Sequence, residues 1–461
     1  MDPSDVLNKM KIVVATLLGE VPMVGTMLSM LVNLFWPFGG KSAWDQVRAE
    51  VEALIDTKIE QALFGVYVQK LDGLADGFKL YLSAVASNDK TQMLNYFDIA
   101  HFEMTAIAKE LENPQFEWTF APLFSVLAQL HIALLRDAVL HGRDWGWNAQ
   151  SYQSVVDQTR AASKAYGAHL DVLSERYKDR YRPKVPSTPG RHRTAIYNAW
   201  QPYEQGRILL ISDFQALLSA SDPLRYPDGT KDIPFEDVFS LAYGTADDCD
   251  FICGESIDAD GVKPLYSAPL ADIAQIHVEY FNFSPRVVNV SYPEGKGPLK
   301  LESSRVDSYG VIARAQDGVE KRTFSFPPPS AGKRFSIERA YVVAGSIPLG
   351  LTLEADDGTR YVLWMRGDPS GPTKTVAVPG RRLTTLTMWT RSRFYDNDLG
   401  CIIFGFSRDP EWIPPEVRDM FYVTAVAEPN TGPHLYPSEI SDKLEARRDA
   451  YWREIVSVPK R

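Results

Sequence analysis

The sequence predicts an α+β multidomain protein, with an N-terminal all-α bundle of about seven helices around a central apolar helix. A C-terminal antiparallel all-β domain follows, either prism-like or a jelly roll. Two features carry this expectation. Apolar residues recur at helical spacing up to about Pro223, and from about Ile233 they recur instead as short β-branched and aromatic runs. At 461 residues the chain is also too long for one ordinary core.

In the first half, Trp44, Val47, Val51, Leu54, Ile55, Ile59, Leu63 and Val66 fall at three- and four-residue intervals and read as one amphipathic face. A second stripe runs Tyr152, Val155, Val156, Thr159, Ala162, Tyr166, Leu170, Leu173 and Tyr177. A third runs Ile196, Trp200, Tyr203, Leu210, Phe214 and Leu217. Helix breakers separate the stripes: Pro37-Phe-Gly-Gly, Asn113-Pro114, and the proline-rich stretch from Pro183 to Gly190.

Two segments stand apart because they carry no charge. Val21 to Gly40 holds about 20 such residues, the length that spans a bilayer core. Trp118 to Leu135 holds about 18 more, interrupted by the polar Ser125, Gln129 and His131. A continuous helix from Phe120 to Gly142 would be about 34 Å long. An all-round apolar helix is ordinarily the core of a bundle, enclosed by its neighbours. The same helix can also enter lipid if those neighbours peel away. Gln129 and His131 suit either a bundle core or the wall of a water-filled pore, and suit a permanent membrane anchor poorly.

The second half reads as strands between Gly, Pro and Asp clusters: Ile276 to Phe283, Val287 to Tyr292, and Leu383 to Thr390. Leu351 to Trp364 is a hairpin, with Asp357-Gly358 as its tight turn. The tips around Tyr292 to Pro298, Phe326 to Lys333, Arg366 to Pro372 and Arg391 to Asp398 are expected contact loops. The candidates within them are Arg366, Asp368, Arg393, Phe394 and Tyr395. Arg366-Gly-Asp368 also spells an adhesion tripeptide, though a solvated turn uses the same residues. The charged stretch Lys443 to Arg453 reads as a surface helix or tail. The expected division is therefore 1–228, 229–430 and 431–461.

Composition excludes several functions. A net charge of -10 argues against a nucleic-acid partner, which needs a basic face. Cys249, Cys253 and Cys401 form no disulfide framework, and Cys249 and Cys253 lack the further ligands of a zinc site. Asp258-Ala-Asp-Gly261 echoes a calcium loop, but Ser256 and Ser267 stand where ligating acids belong. No metal, cofactor or enzyme activity is expected, because the chain has no GxSxG, HExxH or phosphate-loop motif. The N-terminus lacks the basic and apolar regions of a secretory signal.

The run Ala121-Pro-Leu-Phe-Ser-Val-Leu-Ala-Gln-Leu-His-Ile-Ala-Leu-Leu-Arg-Asp, continuing to Trp147, resembles the central fifth helix of the Cry insecticidal toxins. The likeness rests on His131, Leu135, Arg136, Asp137, Gly142, Trp145 and Gly146. Upstream, Val21-Pro, Leu34-Phe-Trp-Pro-Phe-Gly, Ser42-Ala-Trp-Asp, Leu54-Ile-Asp-Thr-Lys-Ile-Glu and Leu71-Asp-Gly-Leu are similar to the first helices of that domain. The resemblance covers about residues 20 to 225 in order. It implies a pore-forming insecticidal toxin that inserts a hairpin of helices four and five, here about Gln92 to Leu111 and Phe120 to His141. The membrane-inserting residues would be Leu123, Phe124, Val126, Leu127, Leu130, His131, Ile132, Leu134 and Leu135. Arg136 and Asp137 would be a structural charged pair near the helix end.

The second half is too short for the two β domains of the common Cry form. One bundle with one β domain is similar to the larger B subunit of the binary Pir-type insect toxins. That likeness implies a receptor-binding β domain and a small PirA-like β partner protein. The other implied partners are the target-cell plasma membrane, a surface protein or glycan receptor, and further copies of the chain in an oligomeric pore. Without a secretory signal at the N-terminus, synthesis in a bacterial cytoplasm followed by release is expected. A different function fits the same pattern: a lectin-like adhesion protein whose bundle is a stalk.

Overall fold

The computed structural model describes residues 11, 14, 15, 18, 25–36, 43–55, 57–181, 193–230, 233–245, 272–281, 284–293, 300–302, 320–327, 335–345, 347–365, 373–378, 380–390 and 399–408. These form two compact units. One holds the described residues up to Tyr177 and those of Leu209–Pro234. The other holds those of Lys178–Ile208 and Phe235–Asp409.

The first unit is helical. Its elements are α1 (Thr26–Phe35), α2 (Ala43–Leu54), α3 (Lys58–Ala86), α4 (Lys90–Leu111), α5 (Ala121–His141) and most of α6 (Ala149–Tyr181). The stripe expected to run unbroken from Trp44 to Val66 is two helices. Thr57 restarts the chain as α3: its Oγ1 accepts from the Glu60 amide at 3.1 Å, and its own amide donates to Glu60 Oε2 at 2.9 Å. This reciprocal cap satisfies two orphan donors of the first turn and sets a new helical phase. Trp44, Val47 and Val51 are therefore buried, whereas Ile59 and Val66 are 61% and 46% exposed. Helix α3 buries Phe64, Tyr67, Leu71, Leu74, Phe78 and Tyr81 in their place.

The uncharged segment Val21 to Gly40 also needs correction. Its helix is the 10-residue α1, which ends where the Trp36 amide donates to Val32 O at 2.8 Å. Ten residues rise about 15 Å, half the thickness of a bilayer core. Helix α5, by contrast, follows the expectation closely. It has 21 residues, or about 32 Å at the α-helical rise. Every residue from Ala121 to Val139 is buried, with α1, α2, α4 and the later α8 packed around it.

The third stripe is divided. It comprises α7 (Arg193–Arg207), a π-helical turn over Ile208–Ser212, and α8 (Asp213–Ser221). Helix α8 belongs to the helical unit and buries Phe214, Leu217 and Leu218 there. Helix α7 belongs to the β unit.

Among the described residues, the β unit holds three antiparallel four-stranded sheets. The first contains β1 (Val238–Phe239), β2 (Tyr243–Gly244), β11 (Arg381–Thr390) and β12 (Leu399–Arg408). The second has the order β5 (Lys300–Glu302), β4 (Ser284–Ser291), β3 (Gln275–Phe281), β6 (Glu320–Ser325). The third has the order β10 (Thr373–Val376), β7 (Ile337–Ala344), β8 (Pro348–Ala355), β9 (Arg360–Met365). Val278 and Val290 from the second sheet, Val342 and Leu353 from the third, and Leu386 and Phe404 from the first meet in one buried core. Three sheets around a common core make a prism, whereas a jelly roll would present two.

The expected hairpin is β8–β9, in which Gly358 takes φ 81° at the turn. The Ala355 amide donates to Thr359 O at 2.9 Å and closes it. Strand β12 is buried from Leu399 to Ser407 on both faces. Ile402, Phe404 and Phe406 enter the shared core, and Cys401 and Ile403 pack with Tyr197 of α7. A strand apolar on both sides needs a cover on each, and α7 supplies the outer one. Cys249, Cys253, Asp258 to Gly261 and the stretch 431–461 lie outside the described residues.

Candidate functional site

Helix α5 forms because Leu, Ala and other good helix formers dominate it, with Pro122 in its first turn where no backbone donor is lost. It is long and apolar enough to cross a membrane, and among the described residues no other helix is. Length and composition alone would describe a soluble core helix equally well. What sets α5 apart is how its polar residues are held.

Leu123, Phe124, Val126, Leu127, Leu130, Ile132, Leu134 and Leu135 are fully buried. The Phe124 ring meets Tyr166 edge-on at 5.5 Å and His169 at 4.3 Å, both on α6. His131 sits at the centre of a chain of hydrogen bonds across three helices. Its Nε2 lies 2.8 Å from Nδ1 of His101 on α4, and its Nδ1 lies 2.6 Å from the Tyr166 hydroxyl. Burial, and then the Glu112 carboxylate, hold the Tyr166 hydroxyl above its ordinary pKa, so it stays protonated.

Gln129 donates through Nε2 to Ser221 Oγ at 2.9 Å. Arg136 is 1% exposed and donates to three backbone carbonyls: Ser221 at 3.3 Å, Tyr226 at 2.9 Å and Pro227 at 3.0 Å. Asp137 accepts from the Gly25 amide at 2.9 Å and the Tyr81 hydroxyl at 3.3 Å. Burial and the Asp137 carboxylate push the Tyr81 hydroxyl well above its ordinary pKa, which keeps it a donor. Arg136 and Asp137 thus bond to different parts of the bundle. Arg136 ties α5 to the end of α8 and the following turn, and Asp137 ties it to the start of α1 and to α3.

Helix α4 begins two residues before the expected Gln92, with the Asp89 side chain capping the Thr91 and Gln92 amides at 3.2 and 3.1 Å. Residues 112–120 join it to α5, so α4 and α5 are consecutive packed helices of a hairpin. The two helices that the resemblance pairs as a hairpin are thus adjacent in the fold. The sequence did not signal Gly25, Tyr81, His101, Tyr166 or Ser221 as partners of α5, since these lie 30 to 112 residues away from their contacts. The candidate contact residues Arg366, Asp368, Arg393, Phe394 and Tyr395 lie outside the described residues. Among the described residues no group of three His, Cys, Asp or Glu side chains is placed to hold a metal.

Residues 12–222 match the family model for the delta endotoxin, N-terminal domain. The pesticidal crystal protein Cry7Aa of Bacillus thuringiensis is 32% identical over 209 residues, 42% of this chain and 17% of that protein. The pesticidal crystal protein Cry8Ba of Bacillus thuringiensis serovar kumamotoensis is 26% identical over 241 residues, 49% of this chain and 20% of that protein. The aligned stretch is thus at most 20% of either relative's length. Among solved structures, PirB superposes with a TM-score of 0.66 at 12% identity, over 88% of this chain and 94% of its own. The insecticidal delta-endotoxin Cry8Ea1 from Bacillus thuringiensis superposes with a TM-score of 0.63 at 17% identity, over 90% and 74% respectively. These likenesses establish a shared fold across both units. Residues 12–222 thus resemble a delta endotoxin N-terminal domain, and the chain shares its overall fold with the delta-endotoxin Cry8Ea1 and with PirB.

Proposed function

We propose that the chain is an insecticidal pore-forming toxin, with a helical pore module over about 1–228 and a receptor-binding β module over about 229–430. The observation that carries this reading is α5: a bilayer-length helix inside a delta-endotoxin domain, enclosed by amphipathic helices. Burying each of its large apolar side chains contributes roughly 1.5–3 kcal/mol, so the helix cannot leave the bundle for water. A lipid core offers the same apolar surroundings, and exchange between the two costs far less.

The soluble protein binds a surface protein or glycan through the β module, by way of the loops that hold Arg366, Asp368, Arg393, Phe394 and Tyr395. Helices α4 and α5 then insert as a hairpin, and several copies assemble into a cation-permeable pore in the target-cell membrane. A small PirA-like β protein, the partner that the PirB-like architecture suggests, assists recognition.

Dye release from liposomes tests the reading, with a disulfide engineered between α4 and α6 as the lock. Wild type is expected to release dye, the oxidised lock to block release, and a reductant to restore it. Equal release from the oxidised lock would exclude hairpin insertion. No release under any condition, target-cell membranes included, would exclude pore formation.

A further inference from the structure

The outer face of the third sheet carries charges that core packing does not call for. Along β7, β8 and β9, Ala340, Val342, Leu351, Leu353 and Leu363 turn into the shared core. The alternate residues Arg339, Tyr341, Thr352, Glu354, Arg360 and Val362 stand on the other face. Arg339 pairs with Glu354 across β7 and β8, and Glu354 pairs with Arg360 across β8 and β9. One row of the sheet thus places two arginines on strands about 10 Å apart, with a carboxylate between them.

Glu354 organises this row. Its Oε1 accepts from Arg339 Nη1 at 3.0 Å, and its Oε2 accepts from Arg360 Nε at 2.6 Å and the Tyr341 hydroxyl at 3.0 Å. Arg360 also lies over the Tyr341 ring at 4.7 Å and donates through Nη2 to its hydroxyl at 3.2 Å. The bond from Arg360, aided by that from Tyr341, holds the Glu354 carboxyl below its ordinary pKa, so it stays charged. The Glu354 side chain is 10% exposed, whereas those of Arg339 and Arg360 are 49% and 61% exposed. The carboxylate is therefore covered and its three donors are in place. Nε and Nη2 of Arg339 and Nη1 of Arg360 keep N–H groups with no partner among the described residues.

As a staple, such a row gains little. Exposed ion pairs add little to stability, and fixing two arginine side chains costs rotamer entropy of similar size. What the row achieves is to hold two planar forks in one orientation, with one net positive charge between them. That is a prearranged site for a second oxyanion, a carboxylate or a sulfate. An extended anionic membrane is a poor occupant, because the whole chain carries a charge of -10 and the row offers so little against it. A single oxyanion on an otherwise neutral chain fits better. Beside the row, Thr352 pairs with Val362, which is 43% exposed. A hydroxyl next to an apolar surface suits a sugar ring, which presents both kinds of group in return.

We propose that this face of the third sheet binds an acidic sugar of a cell-surface glycan, its carboxylate or sulfate held between Arg339 and Arg360. The inference rests on the receptor-capture reading above and gives that capture a ligand class, on the sheet rather than on the loops named there.

Binding of the full chain to immobilised sialyllactose, galactose 6-sulfate and lactose tests the site. The two acidic sugars are expected to bind and lactose is not. Arg339→Gln and Arg360→Gln are each expected to weaken binding at least about tenfold. Arg360→Lys keeps the charge but loses the fork, and is expected to weaken binding as well. Lys321→Gln, which removes an exposed charge from the second sheet, is expected to change nothing. Equal binding of lactose, or full affinity in both glutamine variants, would overturn the site. Full affinity in Arg360→Lys would overturn the fork.

Vesicles separate the sugar from lipid charge. A sialylated ganglioside in phosphatidylcholine vesicles is expected to speed dye release by wild type but not by Arg360→Gln, and phosphatidylserine to speed neither. An equal gain from phosphatidylserine would assign the site to anionic lipid and overturn the sugar. A chain that binds the acidic sugars yet releases dye from no vesicle would overturn the pore reading and leave this site standing.

Discussion

Among the described residues Arg136 has no carboxylate hydrogen-bond partner and is held by three backbone carbonyls at the end of α8 and in the following turn. Bonds from a charged donor are individually strong, and carbonyls left unpaired inside a bundle are costly. Arg136→Met keeps the volume and removes all three bonds. It is expected to lower stability by at least about 3 kcal/mol in denaturant unfolding at neutral pH. A loss below about 1 kcal/mol would mean that water reaches those carbonyls in the folded protein. The neighbouring Asp137 shows why the two were legible in sequence only as a charged pair. Adjacent helical residues point about 100° apart, so their partners lie on different elements. Their burial followed from the apolar run around them, but Gly25, Tyr81 and Ser221 did not.

Among the elements, α5 and α6 were the most legible, because a long uniform pattern leaves little room for a change of phase. The first stripe failed at a local device, the Thr57–Glu60 cap that restarted a helix, whereas the third runs on through a π-helical turn at Ile208–Ser212. Helix α7 has the spacing of a bundle helix, yet its buried face fits strands. The Asn198 Nδ2 donates to Ala242 O at 3.0 Å, and its Oδ1 accepts from the Ala242 amide at 2.7 Å. Gln201 and Gln205 donate to Phe239 O at 2.7 and 2.6 Å. Asn198→Ala is expected to destabilise the β unit by about 1–3 kcal/mol and to speed hydrogen exchange at the Ala242 amide. Unchanged exchange there would mean that α7 is held by its apolar face, through Tyr197 against Cys401 and Ile403. Gly405 on β12 belongs to the same packing, since a Cβ there would sit 2.7 Å from the Phe239 ring and 2.9 Å from Thr385.

For the protein as a whole, net charge predicts how it meets a membrane. At -10 the chain is repelled on average by an anionic leaflet. Dye release is therefore expected to be no faster from vesicles enriched in phosphatidylserine than from neutral phosphatidylcholine vesicles at the same ionic strength. A strong acceleration by phosphatidylserine would require a local basic surface that outweighs the net charge, and raising the salt would then abolish it. Insertion on the proposed reading draws on apolar burial and on receptor capture, neither of which needs lipid charge.

The sequence by itself determined the order of a helical and a β half, the long uncharged helix and the turn at Asp357-Gly358. Each of these depends on patterns within one stretch of chain: periodicity, uncharged length and turn chemistry. The tertiary structure alone decided three further matters. Three sheets share one core, so the β unit is a prism. Helix α7 covers β12 with the β unit, while α8 packs in the bundle. The polar residues of α5 form two separate flanks, one satisfied within the hairpin by His101 and one held from α8 and the turn after it. The physical reason is common to all three. A buried face or a buried hydrogen bond is completed by residues far away in sequence, and periodicity shows that a face must be covered without showing what covers it.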